Sequence, residues 1–251
     1  MAGELGGKIA LVTGAARGIG RALALGLAEA GCAVATADLN ETGAAETAEL
    51  VRARAGDALG LAVDVARRAS VEAMFEATLA RWGGLDILVN DAGIFPRVTV
   101  LEIDEATWDT VIGVNLKGTF LCSQAAARIF VSQGRGGRIV NMASRAAFTA
   151  YPRGAHYAAS KAGIVGFTRS LAAELGPHRV TVNALVPGTV NTAMPRLGNT
   201  EEQLLASGRA TPLGRIAEPE DLVPALLFLC GDGAGYITGQ MLHVNGGSFM
   251  P

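Results

Sequence analysis

The chain has few cysteines, and those it has stand apart. Cys32, Cys122 and Cys230 are the three cysteines in 251 residues, and no two of them show CxxC spacing. An odd number of separated cysteines predicts neither a disulfide framework nor a thiolate zinc site. The simplest interpretation is that the three cysteines are thiols kept reduced in the cytosol, so we expect a cytoplasmic protein.

The chain also lacks a block of charge and a long apolar run. Its formal net charge is −2 and it has no basic cluster, which argues against a nucleic acid or an anionic membrane as a partner. The apolar run ALLFLC at 225–230 is far shorter than the roughly 18 residues that span a bilayer. An acidic residue precedes the first apolar run, and no cleavage-site pattern follows it. We therefore predict no signal peptide.

Two motifs of hydrolases and metalloenzymes are missing as well. His156, His178 and His243 show no metal-binding spacing such as HExxH, so no metal site is predicted. No GxSxG elbow surrounds a serine, which argues against a Ser-His-Asp hydrolase.

Small and apolar residues are what the chain has in quantity. Half of its residues are hydrophobic and 33 are glycine, whereas only 5% are aromatic. This mixture suits helices packed closely on a sheet better than an all-β sandwich. A length of 251 residues predicts one large α/β domain that spans residues 1–251.

Strand-like and helix-like patterns alternate along the chain. The strand patterns are mostly continuous apolar runs, as expected when helices cover both faces of a parallel sheet. Strict alternation predicts right-handed crossovers between the strands. The predicted strands are 8–13, 33–37, 59–63, 86–89, 138–142, 179–185 and 241–244. The predicted helices are 19–30, 41–55, 68–82, 105–131, 156–175 and 218–229.

One long interval, residues 186–217, interrupts this alternation. It contains three prolines and no clear strand. A connection of this length in a compact domain is usually a lid or binding loop, or else disordered. We expect a substrate lid around residues 189–210.

A glycine-rich turn joins the first predicted strand to the first helix. In TGAARGIG, the glycines Gly14, Gly18 and Gly20 have the spacing GxxxGxG rather than GxGxxG. Glycines here permit a tight turn and let the backbone approach a pyrophosphate, which then meets free N–H groups at the positive end of a helix. The position between strand and helix is the one that a dinucleotide site requires.

The second predicted strand ends in a carboxylate, Asp38. A carboxylate at this position accepts hydrogen bonds from both ribose hydroxyls of adenosine and repels a 2′-phosphate, which favours NAD over NADP. Arg17, inside the glycine turn, argues the other way because it could meet a 2′-phosphate. We give Asp38 the greater weight. Its alternative role is to cap the helix that follows.

Three of these features resemble motifs of the classical short-chain dehydrogenases/reductases, and the resemblance extends over essentially the whole chain. They are TGAARGIG, the pair Asp64–Val65 after the third strand, and the turn NDAG at 90–93. The resemblance implies a Rossmann-like, doubly wound parallel sheet of about seven strands in the order 3-2-1-4-5-6-7. In the family the turn reads NNAG, so Asp91 replaces an Asn. Both residues can cap a turn, and we expect little functional effect.

The resemblance also implies the site residues. The catalytic tetrad would be Asn115 in GVNLKG, Ser144 in VNMASR, and Tyr157 and Lys161 in HYAASKAG. Near the C-terminus, YITGQMLHVNGG resembles a segment that builds subunit interfaces in the family, so a homotetramer is implied. The implied cofactor contacts are Gly14, Arg17, Gly18, Ile19, Gly20, Asp38, Leu39, Asp64, Val65, Asn90, Ala92, Gly93, Tyr157, Lys161, Pro187, Gly188, Val190 and Thr192.

The roles of the tetrad follow partly from the residue types. Hydride transfer to a ketone builds negative charge on its oxygen, and a phenol with a pKa of about 10 can protonate it. An ammonium one helical turn away, together with the positive oxidised nicotinamide, favours the phenolate of Tyr157. Ser144 can hydrogen-bond the substrate oxygen. Asn115 lies mid-helix, where it would kink the helix or hold a water, and the resemblance implies a proton relay through Lys161.

The candidate substrate contacts are mostly apolar, which predicts a hydrophobic or aromatic substrate. They are Phe95, Ser144, Ala146, Phe148, Tyr151, Met194 and Leu197. Arg145, Arg153 and His156 lie near the same segment of sequence. They could meet an anionic group of the substrate or form a solvated rim.

Taken together, these features predict an NAD-dependent oxidoreductase that interconverts a secondary alcohol and a ketone, with Tyr157 as general acid and base. An NADPH-dependent 3-oxoacyl-carrier-protein reductase is the nearest alternative, supported by Arg17 and opposed by Asp38. A nucleotide-sensing protein without catalysis is an alternative of another class, because fold alone does not give function. The intact tetrad argues against it.

Overall fold

Seven parallel strands form one sheet in the computed structural model of this protein, which describes residues 5–54 and 56–251. The strands are β1 (Ile9–Thr13), β2 (Ala33–Asp38), β3 (Ala58–Ala62), β4 (Ile87–Asn90), β5 (Gly137–Met142), β6 (Val180–Pro187) and β7 (Met241–Val244). Their order is β3-β2-β1-β4-β5-β6-β7, which confirms the predicted doubly wound topology. The start of the N-terminal segment, residues 1–4, and the last residue of the helix predicted over 41–55 lie outside the described residues.

Helices connect the strands and cover both faces of the sheet. They are α1 (Gly18–Glu29), α2 (Glu41–Arg52), α3 (Arg68–Trp82), α4 (Glu105–Ile112), α5 (Gly118–Gln133), α6 (Ala155–Leu175), α7 (Ala193–Arg196), α8 (Glu201–Arg209) and α9 (Val223–Cys230). Among the described residues, no helix is both long and apolar enough to cross a membrane.

The core lies in two layers, one on each face of the sheet. Successive residues of a strand point to opposite faces. Val12 accordingly packs with α1 and α9, while its neighbour Leu11 packs with α3, α5 and α6. Because both faces are buried in this way, the strands are apolar at most positions.

The carboxyl ends of the central strands meet at one edge of the sheet. Thr13 at the end of β1 pairs in register with Ala37 of β2 and Asn90 of β4, and Asn90 pairs with Asn141 of β5. In doubly wound sheets, ligands bind outside this edge, where the strand order reverses direction. Here that point lies between β1 and β4.

The helix predicted over 105–131 is interrupted in the structure. A π-helical segment, Gly113–Lys117, separates α4 from α5 and contains Asn115. The Asn115 side chain accepts a hydrogen bond from the backbone N–H of Ile94 at 2.8 Å and donates one to its carbonyl at 3.0 Å. These bonds hold the amide toward the turn after β4. Such a bulge is a common feature of functional sites, and it corrects the prediction of a continuous helix.

The interval 186–217 contains more regular structure than the sequence analysis predicted. Helices α7 and α8 lie within it, and α8 starts with a reciprocal capping box between Thr200 and Gln203. This T-x-x-Q pattern was a readable signal for a helix start. The helix predicted over 218–229 also differs, because it begins as a 3-10 turn at Pro219–Leu222. That residues 189–210 act as a lid stays a prediction, as does the single domain over 1–251.

A chain of buried polar side chains ties α6 to the sheet. Asn90 donates its amide N–H groups to Ser123 at 2.9 Å and to Asn141 at 2.8 Å, and Asn141 donates to the Thr168 hydroxyl at 2.9 Å. Buried polar groups are costly unless they are paired, so these bonds fix one relative position of the elements that carry them. The network therefore sets where α6, and with it Tyr157 and Lys161, lies against β5.

Candidate active site

The glycine turn after β1 leaves the start of α1 open. Gly14 and Gly18 have positive φ angles of 72° and 56°, and a Cβ atom on Gly20 would lie 2.2 Å from the carbonyl oxygen of Gly14. No side chain caps α1, and its first turn contains no acidic residue. The N–H groups that open this helix therefore have no side-chain cap and can bind an anion such as a pyrophosphate, while the N–H of Gly20 in the first turn meets the buried Asp91 carboxyl. Arg17 is exposed beside it and Ile19 is partly buried.

Asp38 lies next to this turn at the end of β2. Its carboxylate accepts hydrogen bonds from the backbone N–H of Ala16 at 3.1 Å and of Asn40 at 2.9 Å. Asn40 caps α2 by accepting from the N–H of Gly43, so Asp38 does not have the capping role considered as its alternative. The carboxylate is thus held in place beside the glycine turn, as an adenosine ribose site requires. Leu39 is 76% exposed beside it.

Two further predicted cofactor residues lie beside the glycine turn, and the side chain of a third points away from it. Thr192 lies against the glycine turn, because a Cβ on Gly18 would be 3.2 Å from its methyl group. The N–H of Ala92 donates to the Thr13 hydroxyl at 3.3 Å. The Asn90 side chain, however, points into the buried network with Asn141, so only its backbone can face a cofactor. That Asp64, Val65, Gly93, Pro187, Gly188 and Val190 contact a cofactor stays a prediction.

The four tetrad residues converge at the end of this cleft. Tyr157 and Lys161 lie one turn apart on α6, and both are buried. The Lys161 ammonium lies 5.7 Å from the Tyr157 ring centroid and donates to the Met142 carbonyl at 2.7 Å. A Cβ on Gly93 would be 3.4 Å from Asn115 Oδ1 and 3.7 Å from Lys161 Nζ, so the turn after β4 touches both. Ser144 follows β5, and its hydroxyl accepts from the N–H of Ala146.

Comparison with known proteins bears directly on this arrangement. The sequence profile of a family described as enoyl-(acyl carrier protein) reductase matches residues 14–248. The chain is 42% identical over 241 residues to a (2S)-((R)-hydroxy(phenyl)methyl)succinyl-CoA dehydrogenase subunit of Thauera aromatica, covering 96% of both chains. It is 42% identical to a 3-oxoacyl-acyl-carrier-protein reductase of Aquifex aeolicus, covering 98% of this chain and 99% of the relative. The chain belongs to the short-chain dehydrogenase/reductase family.

Solved structures agree with this membership. A short-chain type dehydrogenase/reductase from Mycobacterium marinum superposes with a TM-score of 0.93 at 34% identity, covering 100% of this chain and 98% of the other. The family relationship accounts for the seven-strand order and for an oxidoreductase activity. The relatives differ in substrate, so the substrate of this family member has to be argued from its own residues.

Burial dominates the ionisation of the Tyr157 phenol. It raises the pKa of Tyr157 above the ordinary value, and a hydrogen bond with Ser144 acts in the opposite direction without cancelling it. The prediction that Lys161 and the oxidised nicotinamide together favour the phenolate concerns the protein with its cofactor bound, and it stays a prediction. In this family member the phenol keeps its proton at neutral pH, which suits a proton donor.

Asp91 takes part in a charge interaction that the sequence alone did not indicate. Burial raises the pKa of its carboxyl group to about 7, against the opposing effects of Lys161 and a backbone N–H of Gly20. Burial also lowers the pKa of Lys161 to about 8, and the negative charge of Asp91 opposes that fall. The family's usual Asn could not supply this charge. The signal was visible in the NDAG turn, but only the fold shows that Asp91 interacts with Lys161.

The predicted substrate residues separate into two groups. Phe95 packs on Tyr157 with ring centroids 4.4 Å apart and on Tyr151 at 5.4 Å, and Ala146 and Met194 join the same cluster. Phe148 instead packs on His243, at 5.1 Å, and belongs to another cluster. Leu197 directly follows α7 in sequence. It is 77% exposed and belongs to no hydrophobic cluster of the described residues. That these two residues contact the substrate stays a prediction.

The basic residues near the site also differ from one another. His156 is buried, with its Nδ1 accepting from the backbone N–H of Tyr157, so it is not part of a solvated rim. Arg153 is exposed and Arg145 is partly buried. Arg97, which the sequence analysis did not select, lies over Phe95 with its guanidinium carbon 5.2 Å from the ring centroid. It stands alone in the sequence, and no motif marks it.

Replacing Asp91 with Asn tests its effect on Lys161. The Asp91→Asn variant loses the negative charge that raises the pKa of Lys161, so that pKa falls further below about 8. We expect the alkaline limb of the kcat/KM profile for ketone reduction to move to lower pH by about half a unit or more. Asp109→Asn, an exposed change on α4, is the control. Superimposable profiles for Asp91→Asn and the unchanged protein would show that Asp91 only caps its turn.

Proposed function

We propose that this protein interconverts a secondary alcohol and a ketone with NAD(H) as cofactor. The observation that supports it most is the buried pair of Tyr157 and Lys161 at the end of a cleft that begins with the open N-terminus of α1. A structural protein gains nothing from burying an ammonium beside a phenol, because burying a charge is costly. An enzyme that must control one proton does gain from it.

The residues of the cleft fit a dinucleotide. The glycine turn and α1 would bind its pyrophosphate, Asp38 its adenosine ribose, and the segment from Pro187 to Thr192 its nicotinamide end. The nicotinamide, when bound, gives or takes the hydride. The protein's own residues bind and orient the substrate and transfer the proton.

Proton transfer is the main chemical task of the chain's own residues. The Ser144 hydroxyl would hydrogen-bond the substrate carbonyl and hold its oxygen near the Tyr157 hydroxyl. In reduction, Tyr157 donates its proton as negative charge builds on that oxygen; in oxidation it takes a proton from the alcohol. Lys161, held by the Met142 carbonyl, stabilises the phenolate that reduction leaves behind. The proton returns by way of Lys161 and Asn115.

Asp38 supports a preference for NAD over NADP. Its two oxygens are already oriented by backbone N–H groups, so a 2′-phosphate would meet a fixed negative charge. The exposed Arg17 is the residue that supports the alternative, a 3-oxoacyl-carrier-protein reductase that uses NADPH. A non-catalytic nucleotide sensor is the third candidate, and the complete tetrad argues against it.

Two further parts of the proposal concern assembly and the lid. The groove between α5 and α6 is lined by Phe120, Val131, Phe167 and Leu171, and this apolar lining supports a homotetramer. Light scattering on the purified protein measures its molar mass and so tests for the homotetramer.

Helices α7 and α8 support a lid over residues 189–210, because Thr192 at its start touches the glycine turn. The cytoplasmic location stays a prediction.

Replacing Tyr157 with Phe tests the proton donor. The variant keeps the ring and its packing on Phe95 but has no phenolic proton, so we expect kcat for ketone reduction to fall by about 10²- to 10⁴-fold. NADH binding, followed by fluorescence, should not change. Tyr236→Phe is the control, because Tyr236 is fully exposed. Survival of turnover for every accepted ketone in Tyr157→Phe would refute the mechanism.

The cofactor preference is tested by titration. We expect NADH to bind at least about 10-fold more tightly than NADPH, because Asp38 accepts ribose hydroxyls and repels the phosphate. The Asp38→Ala variant should lose most of this difference, and Glu41→Ala, an exposed change at the start of α2, should keep it. Tighter binding of NADPH by the unchanged protein would favour the carrier-protein reductase instead.

A further inference from the structure

Arg97 is a partly buried cation without an acidic partner. In the described part of the chain, no Asp or Glu lies within ion-pair distance of its guanidinium. Its Nε is buried and makes no hydrogen bond, while Nη1 donates to the side-chain carbonyl of Asn199 at 3.2 Å. One neutral acceptor does not compensate a guanidinium whose Nε is buried without a partner. The charge is therefore available for an anion from outside the chain.

Arg97 lies close to Tyr157, the residue that we propose transfers the proton. Its guanidinium carbon lies 5.2 Å from the Phe95 ring centroid, and that ring lies 4.4 Å from the Tyr157 ring. The guanidinium is therefore no farther from the Tyr157 ring than the sum of these two distances. A short carboxylic acid spans that separation with its ketone at Tyr157. Phe95, Tyr151 and Met194 provide an apolar wall for the carbons between.

The lid segment fixes the direction of the Arg97 side chain. A Cβ on Gly198 would lie 2.1 Å from Arg97 Cδ, so only glycine lets the arginine pass at that point. Gly198 and Asn199 together hold the side chain alongside the proposed pocket, although both are about 100 residues away in sequence. A solvated surface arginine would need no such support.

We propose that Arg97 binds a carboxylate group of the substrate, which would be a keto acid or hydroxy acid with an apolar body. The planar guanidinium matches a carboxylate with two parallel hydrogen bonds, and its single charge matches one negative charge. This inference rests on the proposed function of the Tyr157 site and adds the chemical class of its substrate. Arg153, whose guanidinium donates to the Arg97 carbonyl, is exposed and does not line the apolar wall.

The test compares 4-oxo-4-phenylbutanoate with its neutral amide as substrates. We expect the unchanged protein to prefer the acid. The Arg97→Gln variant should lose about 10- to 100-fold in kcat/KM for the acid, mostly through KM, and less than about threefold for the amide. Arg97→Lys should recover part of the loss, because it restores the charge without the planar fork. Gly198→Ala should lower activity on the acid as well, because its Cβ displaces the arginine.

Arg153→Gln is the matched control. We expect it to change kcat/KM by no more than about threefold for the acid or for the amide. NADH binding, measured for each variant, shows that its fold is intact. Equal losses for acid and amide in Arg97→Gln, or a larger loss in Arg153→Gln, would overturn the carboxylate site while leaving the proposed function standing. If neither compound nor any other ketone reacts, the proposed function fails. Calorimetric binding of the acid and the amide to Arg97→Gln and the unchanged protein then still decides the role of Arg97.

Discussion

The burial of Lys161 beside Tyr157 is the constraint on which the rest of this structure depends. Lys161 is only 4% exposed, and its ammonium must be paired with acceptors, since burying an unpaired charge is very costly. The Met142 carbonyl at the end of β5 meets one of its N–H groups, and the negative charge of Asp91 favours its protonated form. Both partners lie at the carboxyl edge of the sheet. The ammonium therefore requires β5, the turn after β4 and α6 to be held in one arrangement.

Several uncommon local features serve that arrangement. The π-helical segment turns Asn115 toward the backbone of Ile94 and brings its amide within 3.1 Å of the Ser160 hydroxyl on α6. Gly163 lets α6 approach the same segment, because a Cβ there would lie 2.7 Å from a methyl group of Leu116. This explains why the helix of the tetrad is rich in small residues. Small residues let α6 pack closely against the π-helical segment, and buried hydrogen bonds fix its position there.

Continuous apolar runs in the sequence predicted the strands, whereas the family resemblance, carried by short motifs, implied their order and the tetrad. Contacts between distant segments could not be predicted in this way. Arg97 meets Asn199 across about 100 residues, and Asn90 turns its side chain away from the cofactor only because Asn141 and Ser123 bind it in the core. Phe148 was an apolar residue near the site in sequence, yet it packs on His243. The raised pKa of Tyr157 could not be predicted because its main cause, burial, is a property of the folded chain.

The central claim is that burial keeps Tyr157 protonated until positive charge arrives with the oxidised cofactor. The most direct test is the near-ultraviolet absorbance of tyrosinate, titrated with and without NAD⁺. Tyr151, Tyr157 and Tyr236 are the only tyrosines in the sequence, so the difference between the unchanged protein and Tyr157→Phe isolates one phenol. We predict that this phenol ionises above its ordinary pKa of about 10 without cofactor, and at a pH lower by about one unit or more with NAD⁺ bound. Ionisation at the same pH in both states would contradict the account.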